Sequence, residues 1–412
     1  MTVLHFGANA EIAIPDETLI AGCGDVVDEP IDDIPNAIRD ALQSPDGYPD
    51  LRSMTIPEDK VAIALEDGLV HSAEAVAGIV SELLSANVQP ERIVILRSKL
   101  DAQHSQASPT RLLPESVRSV IECVVHDPTD REMVSYLGVS ADDSPIYVNR
   151  QLADADVVIP VGMMKHNESL GDVGVHGIVV PHFCDEETIA RFLQPKSAKS
   201  KRERLKRRDE AREIAWMLGT RLTVQFVLGN GEAIQHVLAG DAELIENRGQ
   251  GLCEKLWRVS VPQRANLVVA SITGGKQQQS WANFARTLRN AMQVVEPDGT
   301  IALCTELNVR PGAALRKVVG ATSLDLAERS VKKDRSIDAL AALELIASLQ
   351  NNKVYLLSKM DEEFVEELGL GFIAHPDEVT RLANRHESCI LIENAQRVVA
   401  SVSNESPAKS YD

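Results

Sequence analysis

The sequence lacks the features that would place it in a membrane-bound, secreted or disulfide-rich class of protein. No window of its 412 residues approaches the ~18 consecutive apolar residues of a membrane helix. Its N-terminus, MTVLHFGANAEIAIPDETLI, has no basic stretch before an apolar run, unlike a secretory signal. The six cysteines are scattered without a CxxC pair, which indicates reduced thiols. We therefore expect a soluble cytoplasmic protein with no membrane partner.

Basic residues are also in short supply. The chain has 42 Lys and Arg against 61 Asp and Glu, a formal net charge of -19. This balance argues against nucleic acid as a partner, because phosphate binding needs a basic face. The exception is segment 196–212 (KSAKSKRERLKRRDEAR), which holds nine basic residues. It is either an anion-binding patch or a solvated helix face, and acids interleaved at i,i+3 and i,i+4 spacings favour the helix face.

Short apolar runs rich in β-branched residues alternate with stretches of helical period. Several of the runs are unbroken, as expected for strands that are covered on both faces. The predicted strands are 61–65, 93–96, 157–161, 222–228, 267–270, 301–304, 354–357 and 389–392, and the clearest predicted helices are 72–86, 282–294 and 336–349. This alternation predicts an α/β fold with largely parallel sheets.

A proline-containing polar segment, 261–266 (VPQRAN), precedes a fresh strand, glycine turn and helix. We therefore predict two α/β domains, 1–261 and 262–400, with an interdomain cleft between them. Sites in such folds lie at the carboxyl ends of strands or between domains. The polar tail, 401–412, is predicted to be disordered.

Three blocks of sequence, taken in order, resemble the nickel-dependent lactate racemase family. They are HDPTD, YLG and PIYVNRQLADADVVIPVG within 126–162, RDEAREIAWMLGTRLTVQFVLGNGEAIQHVLAGD at 208–241, and ASITGGKQQQSWANFARTLRNAMQVVEPDGTIALC at 270–304. The resemblance implies two α/β domains with an active site in the cleft. It also implies a nickel-pincer nucleotide tethered to a lysine, a histidine ligand to nickel, and two histidines that act as acid and base on the substrate hydroxyl.

The chain departs from the family pattern in the first two motifs. Asp67 stands at the family's early aspartate, but Val70 occupies the position of the arginine that clamps the substrate carboxylate, and His71 follows it. The first catalytic histidine is missing after strand 93–96, and His104 lies a few residues beyond. The guanidinium fork that would bind a carboxylate in two places is therefore absent from its usual position.

The third motif keeps its glycines and loses its lysine. His166, which follows Lys165, lies within one residue of the family's second catalytic histidine, and Gly171 and Gly174 keep the turn. The tether position is filled by His176 or Gly177. Segment 189–194 (IARFLQ) contains no histidine to ligate nickel. The resemblance thus implies a nickel-pincer nucleotide whose tether and metal ligand are not found.

Other candidate contacts lie in the last block and in the loop after 157–161. Asn283 and Arg286 align with family residues that contact substrate, and the turn at Gly274 and Gly275 precedes a helix whose N-terminus is suited to an anion. His166, His176 and His182 are candidate metal ligands, although their spacing matches no compact zinc motif.

Two hypotheses follow. The first is a divergent racemase or epimerase acting on a small hydroxy acid or sugar acid. Its catalytic candidates are His166, Lys165 and His176, its substrate contacts are Asp67, His71, Asn283 and Arg286, and its cofactor contacts are Gly171, Gly174, Gly274 and Gly275. The second is a non-catalytic homologue that binds a metabolite or a protein. A polar interdomain pocket would favour the enzyme, and a pocket filled with apolar side chains would favour the binding protein.

Overall fold

The computed structural model describes residues 1–26, 28–104, 107–140, 143–195 and 201–403. The strands are β1 (Thr2–Phe6), β2 (Ala10–Ile14), β3 (Leu19–Cys23), β4 (Val61–Leu65), β5 (Ile93–Ser98), β6 (Glu122–His126), β7 (Val134–Val139), β8 (Pro145–Asn149), β9 (Val157–Met163), β10 (Leu222–Leu228), β11 (Ile234–Asp241), β12 (Arg258–Val261), β13 (Ala265–Ser271), β14 (Val295–Cys304), β15 (Lys353–Leu357), β16 (Gly371–Ile373), β17 (Cys389–Ile392) and β18 (Val399–Val402). All eight predicted strands lie within these elements.

Helices connect most of the parallel strands. They are α1 (Ile34–Gln43), α2 (Leu51–Met54), α3 (Ser72–Ser85), α4 (Lys99–His104), α5 (Glu115–Arg118), α6 (Arg150–Ala153), α7 (Glu186–Phe192), α8 (Lys201–Met217), α9 (Ala242–Trp257), α10 (Trp281–Met292), α11 (Leu324–Val331), α12 (Ala339–Asn351), α13 (Glu362–Glu367) and α14 (Pro376–Ala383). In the part of the chain that the structure describes, no helix is long and apolar enough to cross a membrane. The basic segment forms the start of α8, and its residues 196–200 lie outside the described ranges.

Two six-stranded sheets confirm the predicted α/β class with largely parallel sheets. The first sheet has the order β11-β10-β9-β4-β5-β6 and is parallel except for β11, which pairs antiparallel with β10. The second has the order β16-β15-β14-β13-β17-β3 and is parallel throughout. Each sheet reverses its strand order once, between β4 and β9 in the first and between β13 and β17 in the second.

The unbroken apolar strands are covered on both faces. In β4, Val61, Ile63 and Leu65 belong to one buried cluster, while Ala62 and Ala64 belong to the cluster on the opposite face. Alternate side chains of a strand point to opposite faces, so each apolar residue of VAIAL is buried against one layer or the other. This burial fixes the strand's position in the centre of the sheet.

The start of the chain differs from the predicted division at residue 261. Strand β3 pairs in parallel with β17 and so forms an edge of the second sheet. The β1–β2 hairpin places Leu4, Phe6, Ile12 and Ile14 against the same sheet's apolar face. Residues 2–23 therefore lie with the C-terminal sheet, and their apolar side chains cover part of one face of that sheet.

The end of the chain is partly ordered. Strand β18 pairs with β12, so Ser401 and Val402 are hydrogen-bonded in a parallel pair rather than disordered. Residues 404–412 of the predicted disordered tail lie outside the described ranges.

Candidate functional site

A polar recess lies at the carboxyl ends of β4 and β9, where the first sheet reverses its strand order. Parallel sheets present ligand sites at such a point, because the connections on either side diverge and leave a crevice. The recess measures about 440 Å³ together with the open space at its mouth. It is lined by Glu66, Met163, Met164, Lys165, Gly171, Asp172, Val173, Gly174, Val175, Gly177, Ile178, His182, Gln225 and Gln250.

An aspartate–histidine pair forms one side of the recess. Asp67 follows β4, and its Oδ2 lies 3.1 Å from Nδ1 of His182. Its other oxygen, Oδ1, accepts a hydrogen bond from the hydroxyl of Ser98 at the end of β5. Burial opposes the charge on His182, but the charge and hydrogen bond of Asp67 outweigh it and raise the pKa of the imidazole. The pKa of Asp67 is lowered despite burial, by His182 and Ser98.

A second ion pair crosses from β4 to β9. The ammonium group of Lys165 binds the Oε1 atom of Glu66, and the Oε2 atom of Glu66 accepts the backbone N–H of Met163 at 2.6 Å. The carboxylate is buried, while about a third of the Lys165 side chain is exposed. Glu66 thus holds the only lysine that lines this recess, and does so through a bond that an anionic ligand can replace.

Backbone contacts hold the loop that carries His182. The ring of His126, at the end of β6, is buried, and its Nε2 atom lies 2.8 Å from the carbonyl oxygen of Cys184. Asn149 donates to the other ring nitrogen at 3.0 Å. Burial lowers the pKa of His126, so the neutral ring is favoured. His126 is therefore a structural residue that fixes the loop two residues after His182.

The opposite wall contains a buried aspartate. Burial raises the pKa of Asp172, although Nη1 of Arg208 lies 3.3 Å from its carboxylate. Arg208 also pairs with Glu246 on α9. From the second sheet's side, Arg286 on α10 donates to the carbonyl oxygen of Leu170 at 3.1 Å. Burial lowers the pKa of Arg286, and the charges of Glu66 and Asp172 oppose that effect, so this guanidinium lies close to the acids of the recess.

The structure places His166 and His176 away from the recess lining. His166 is 3% exposed; its Nε2 binds the carboxylate of Glu254 and its Nδ1 accepts the backbone N–H of Glu168 at 3.1 Å. His176 lies in a 3₁₀ turn, Val175–Ile178. Burial and the charges of Arg212 and Arg208 lower its pKa to about 4. In this conformation His166 is bonded to Glu254 and Glu168, and neither it nor His176 lines the recess, whereas Lys165 and His182 do.

The remaining predicted contacts, His71 and Asn283, are bonded within their own halves of the molecule. His71 has a left-handed backbone (φ 52°) and its Nε2 lies 3.0 Å from the carbonyl oxygen of Glu232. Asn283 donates to the carbonyl oxygen of Gln278 at 2.7 Å and accepts from Arg286 at 2.7 Å.

The two predicted glycine turns have different surroundings. Gly171 and Gly174 both have φ of +76° and line the recess. Gly274 has φ of +95°, and the N–H of Gly275 donates to the side chain of Glu232 at 2.8 Å. The anion at this second turn is therefore a carboxylate of the chain itself.

Sequence reasoning missed Glu66, Ser98, Asp172 and Arg208 as parts of the site. Glu66 and Ser98 stand at the carboxyl ends of predicted strands, a position that could have singled them out. Asp172 and Arg208 are 36 residues apart, and nothing in the local pattern signals their contact. The side chain of His104 lies outside the described residues.

Comparisons with known proteins show what the chain is similar to. The model of the lactate racemase N-terminal domain matches residues 7–203. The structure of the lactate racemase apoprotein from Thermoanaerobacterium thermosaccharolyticum aligns with a TM-score of 0.78 at 15% identity, covering 97% of this chain and 100% of that chain. Residues 7–203 therefore resemble the lactate racemase N-terminal domain, and the chain as a whole shares the fold of the lactate racemase apoprotein. A crystal structure of a protein from Thermotoga maritima aligns with a TM-score of 0.65 at 14% identity, covering 92% and 100% of the two chains.

These structural identities establish a shared fold and nothing about shared residues. No curated protein sequence matches the chain. Activity in this lactate racemase-like protein therefore has to be argued from its own recess.

The nickel-pincer nucleotide that the resemblance implies does not fit the residues at this recess. Of the two tether positions, His176 does not line the recess and has no amine, and Gly177 offers no side chain. The amine that does line the recess, Lys165, is bound by Glu66. The described ranges contain no group of three His, Cys, Asp or Glu side chains placed to hold a metal ion. We therefore derive no chemical step through that group.

Proposed function

We propose that this lactate racemase-like protein is an isomerase of racemase or epimerase type that acts on a small hydroxy acid. The observation that carries the proposal is the polar recess at the first sheet's reversal point, where His182, oriented by Asp67, and Lys165 line one space. A recess filled with apolar side chains would have favoured a binding protein.

His182 is suited to remove a proton from the carbon that bears the hydroxyl. Asp67 occupies Nδ1, which leaves Nε2 for the substrate and fixes the plane of the ring. The raised pKa keeps the imidazole basic near neutral pH. In the proposed step, Nε2 takes the proton and the electrons of the C–H bond pass into the adjacent carboxylate, giving an enediolate.

Lys165 is suited to return a proton to the other face of the carbon. Its ammonium group gives a proton to the carbon as the enediolate electrons form the new C–H bond, and the configuration inverts. The two groups then recover their starting protonation by exchange with solvent. In the opposite direction the amine removes the proton and the imidazolium returns one.

The developing negative charge needs support, because an enediolate carries more charge on its oxygens than the carboxylate does. Arg286 offers a guanidinium close to the acids of the recess, and only its Nε and Nη1 atoms bond to described residues.

Single enantiomers of 2-hydroxy acids, incubated with the purified protein in D₂O, test the proposal. Chiral chromatography measures the opposite enantiomer, and mass spectrometry measures deuterium at the carbon bearing the hydroxyl. We expect inversion accompanied by one solvent deuterium, because both proton-carrying groups exchange with solvent. Inversion without deuterium would contradict proton transfer by His182 and Lys165.

Three variants assign the groups. H182Q and K165M should each lower the rate at least ~100-fold, the usual range for general acid–base groups. H5Q is the matched control. His5 lies on the β1–β2 hairpin, and its exposed side chain pairs with Glu393. H166Q tests the sequence-based candidate: loss of activity in H166Q with activity retained in H182Q would move the role to His166.

Tight binding without turnover would instead support the second candidate, a non-catalytic metabolite-binding homologue, which the misfit of the tether position favours.

A further inference from the structure

The recess contains the amide group of a buried glutamine from the middle of β10. Gln225 is 1% exposed and lines the recess. Its Nε2 atom donates to the hydroxyl oxygen of Thr223 at 2.8 Å. Within the residues that the structure describes, its Oε1 atom has no hydrogen-bond partner. A buried acceptor without a donor is costly, so an amide oxygen in this state favours a ligand that donates a hydrogen bond.

The bonds of Thr223 fix which end of this amide faces the recess. The Thr223 hydroxyl donates its only proton to the carbonyl oxygen of Pro160 at 3.1 Å. It can therefore only accept from Gln225, which requires the NH₂ group on that side and turns the amide oxygen away. Among the described residues, the fully enclosed side-chain atoms that lack a partner do not include this oxygen, so it keeps contact with open space. The open space beside Gln225 is the recess.

A second acceptor lies on the same face of the sheet. Gln225 pairs in register with Gly162 of β9, the strand between β10 and β4. A Cβ atom at Gly162 would lie 2.5 Å from Cδ1 of Ile178 and 2.9 Å from Oε2 of Glu66, and both of these residues line the recess. Residues in register on neighbouring strands share a face. The amide oxygen and the carboxylate can only accept hydrogen bonds, so this face disfavours ligand oxygens without a hydrogen.

We propose that Gln225 recognises the hydroxyl group of the substrate, whose hydrogen its amide oxygen accepts. This inference rests on the proposed function, because it places a small hydroxy acid in the recess. A hydroxyl brings the hydrogen that this acceptor needs, whereas a carboxylate or keto oxygen would face it with lone pairs alone. Gln225 thus selects 2-hydroxy acids against acids that carry no oxygen, a keto oxygen or an ether oxygen at the same carbon.

Isothermal titration calorimetry tests the recognition of the hydroxyl. The ligands are the two enantiomers of lactate, propanoate, pyruvate, and 2-methoxypropanoate, which keeps the oxygen and lacks its hydrogen. We expect the more tightly bound enantiomer of lactate to bind roughly ten-fold or more tightly than each of the other three acids, because each leaves the buried oxygen without a donor. Propanoate and pyruvate are no larger than lactate, so exclusion by size does not explain their weaker binding.

The variant Q225M should lose that preference and bind lactate about as weakly as propanoate, because methionine has a similar length and no amide. The matched control is Q235M, which removes another buried glutamine, from β11, whose Nε2 atom donates to the carbonyl oxygen of Asp28 at 3.0 Å. It should keep the preference. Circular dichroism confirms that the variants are folded, and Q225N, which withdraws the amide by one methylene group, replaces Q225M if that variant does not fold.

Three results would overturn the inference. They are the failure of both lactate enantiomers to bind, equal binding of lactate and propanoate or pyruvate by the wild type, and a folded Gln225 variant that keeps the preference.

Failure of this inference and failure of the proposed function give different results. A preference for lactate that depends on Gln225, without any inversion of configuration, would refute the isomerase and leave recognition of the hydroxyl standing. Inversion of lactate by a protein that shows no preference for the hydroxyl would refute the role of Gln225 and leave the isomerase standing.

Discussion

Replacing Asp67 with asparagine should lower the pKa of His182 by at least ~1 unit and bring it below the ordinary value of about 6.5. The carboxylate lies 3.1 Å from Nδ1 and raises the pKa against the effect of burial. Asparagine has nearly the same shape and can still accept the hydrogen bond from Ser98, but it carries no charge. Without the charge of Asp67 to oppose it, burial lowers the pKa of the His182 imidazole.

The magnitude follows from the distance. Two unit charges about 4 Å apart interact by about 4 kcal/mol at the effective dielectric constant near a protein surface. This corresponds to an upper limit of about 3 pKa units. About a third of the His182 side chain is exposed, and solvent screening reduces the effect towards ~1 unit.

Nuclear magnetic resonance titration of the histidine ring signals measures this pKa, with H182Q used to assign the signal. The reasoning is refuted if the pKa of His182 in D67N stays within about 0.3 units of the wild-type value.

The same pair predicts a pH window for stability. A raised histidine pKa stabilises the fold at pH below the ordinary histidine value, and the contribution is lost as the pH rises through the raised pKa. A lowered aspartate pKa stabilises the fold above the ordinary carboxyl value, and this is lost as the pH falls through the lowered pKa. The wild type should therefore exceed D67N in free energy of unfolding most clearly between about pH 4 and 6.5, and equal differences at pH 5.5 and 9 would contradict this.

Three further predictions concern stability and reactivity. D338A should lower the free energy of unfolding, measured in urea, by about 2–5 kcal/mol. The buried N–H groups of Ala314 and Leu315, now 3.2 and 3.0 Å from the carboxylate oxygens of Asp338, would have no acceptor. Asn keeps one acceptor oxygen, so D338N should lose less, and equal losses in D338A and D338N would contradict this. G240A should cost at least ~2 kcal/mol, because φ is +150° and the new Cβ would lie 2.3 Å from the carbonyl oxygen of Asp46. G251A, in α9 with open space around it, should instead stabilise by up to ~1 kcal/mol, and matching effects of the two substitutions would refute the reasoning. In the native protein an aromatic disulfide reagent should label Cys123 first, because it is the exposed thiol while four of the other five are buried; labelling that persists at the same rate in C123S would be inconsistent with that assignment.

The parallel strands were predictable because they are locally coded. Runs such as 61–65 and 389–392 are apolar at every position and end at polar residues, so their bounds match β4 and β17 residue for residue. The helical period of apolar residues likewise predicted α3. Its predicted range of 72–86 ends one residue beyond the observed helix. Burial on both faces requires unbroken apolar character, and that requirement is visible in the sequence.

The sequence predicted which loop contributes to the site, because that loop follows the end of a predicted strand, but it did not predict the contacts that the loop makes. The loop after 157–161 was identified from its histidines and glycines, and Lys165, Gly171, Gly174 and His182 do line the recess. The contacts that give these residues their chemistry join distant segments: Asp67 and His182 are 115 residues apart, and Glu66 and Lys165 are 99 apart. No local pattern shows that His182 rather than His166 lines the recess.

The two reversal points explain why the recess lies on the first sheet. At the second sheet's reversal point, between β13 and β17, Thr273 donates to Asn394, and Gln396 donates to the carbonyl oxygen of Thr273 at 3.1 Å. The β10–β11 turn of the first sheet docks onto the same place, where the N–H of Gly231 donates to Asn394 at 3.0 Å. That crevice is thus filled by the chain and joins the two halves of the molecule.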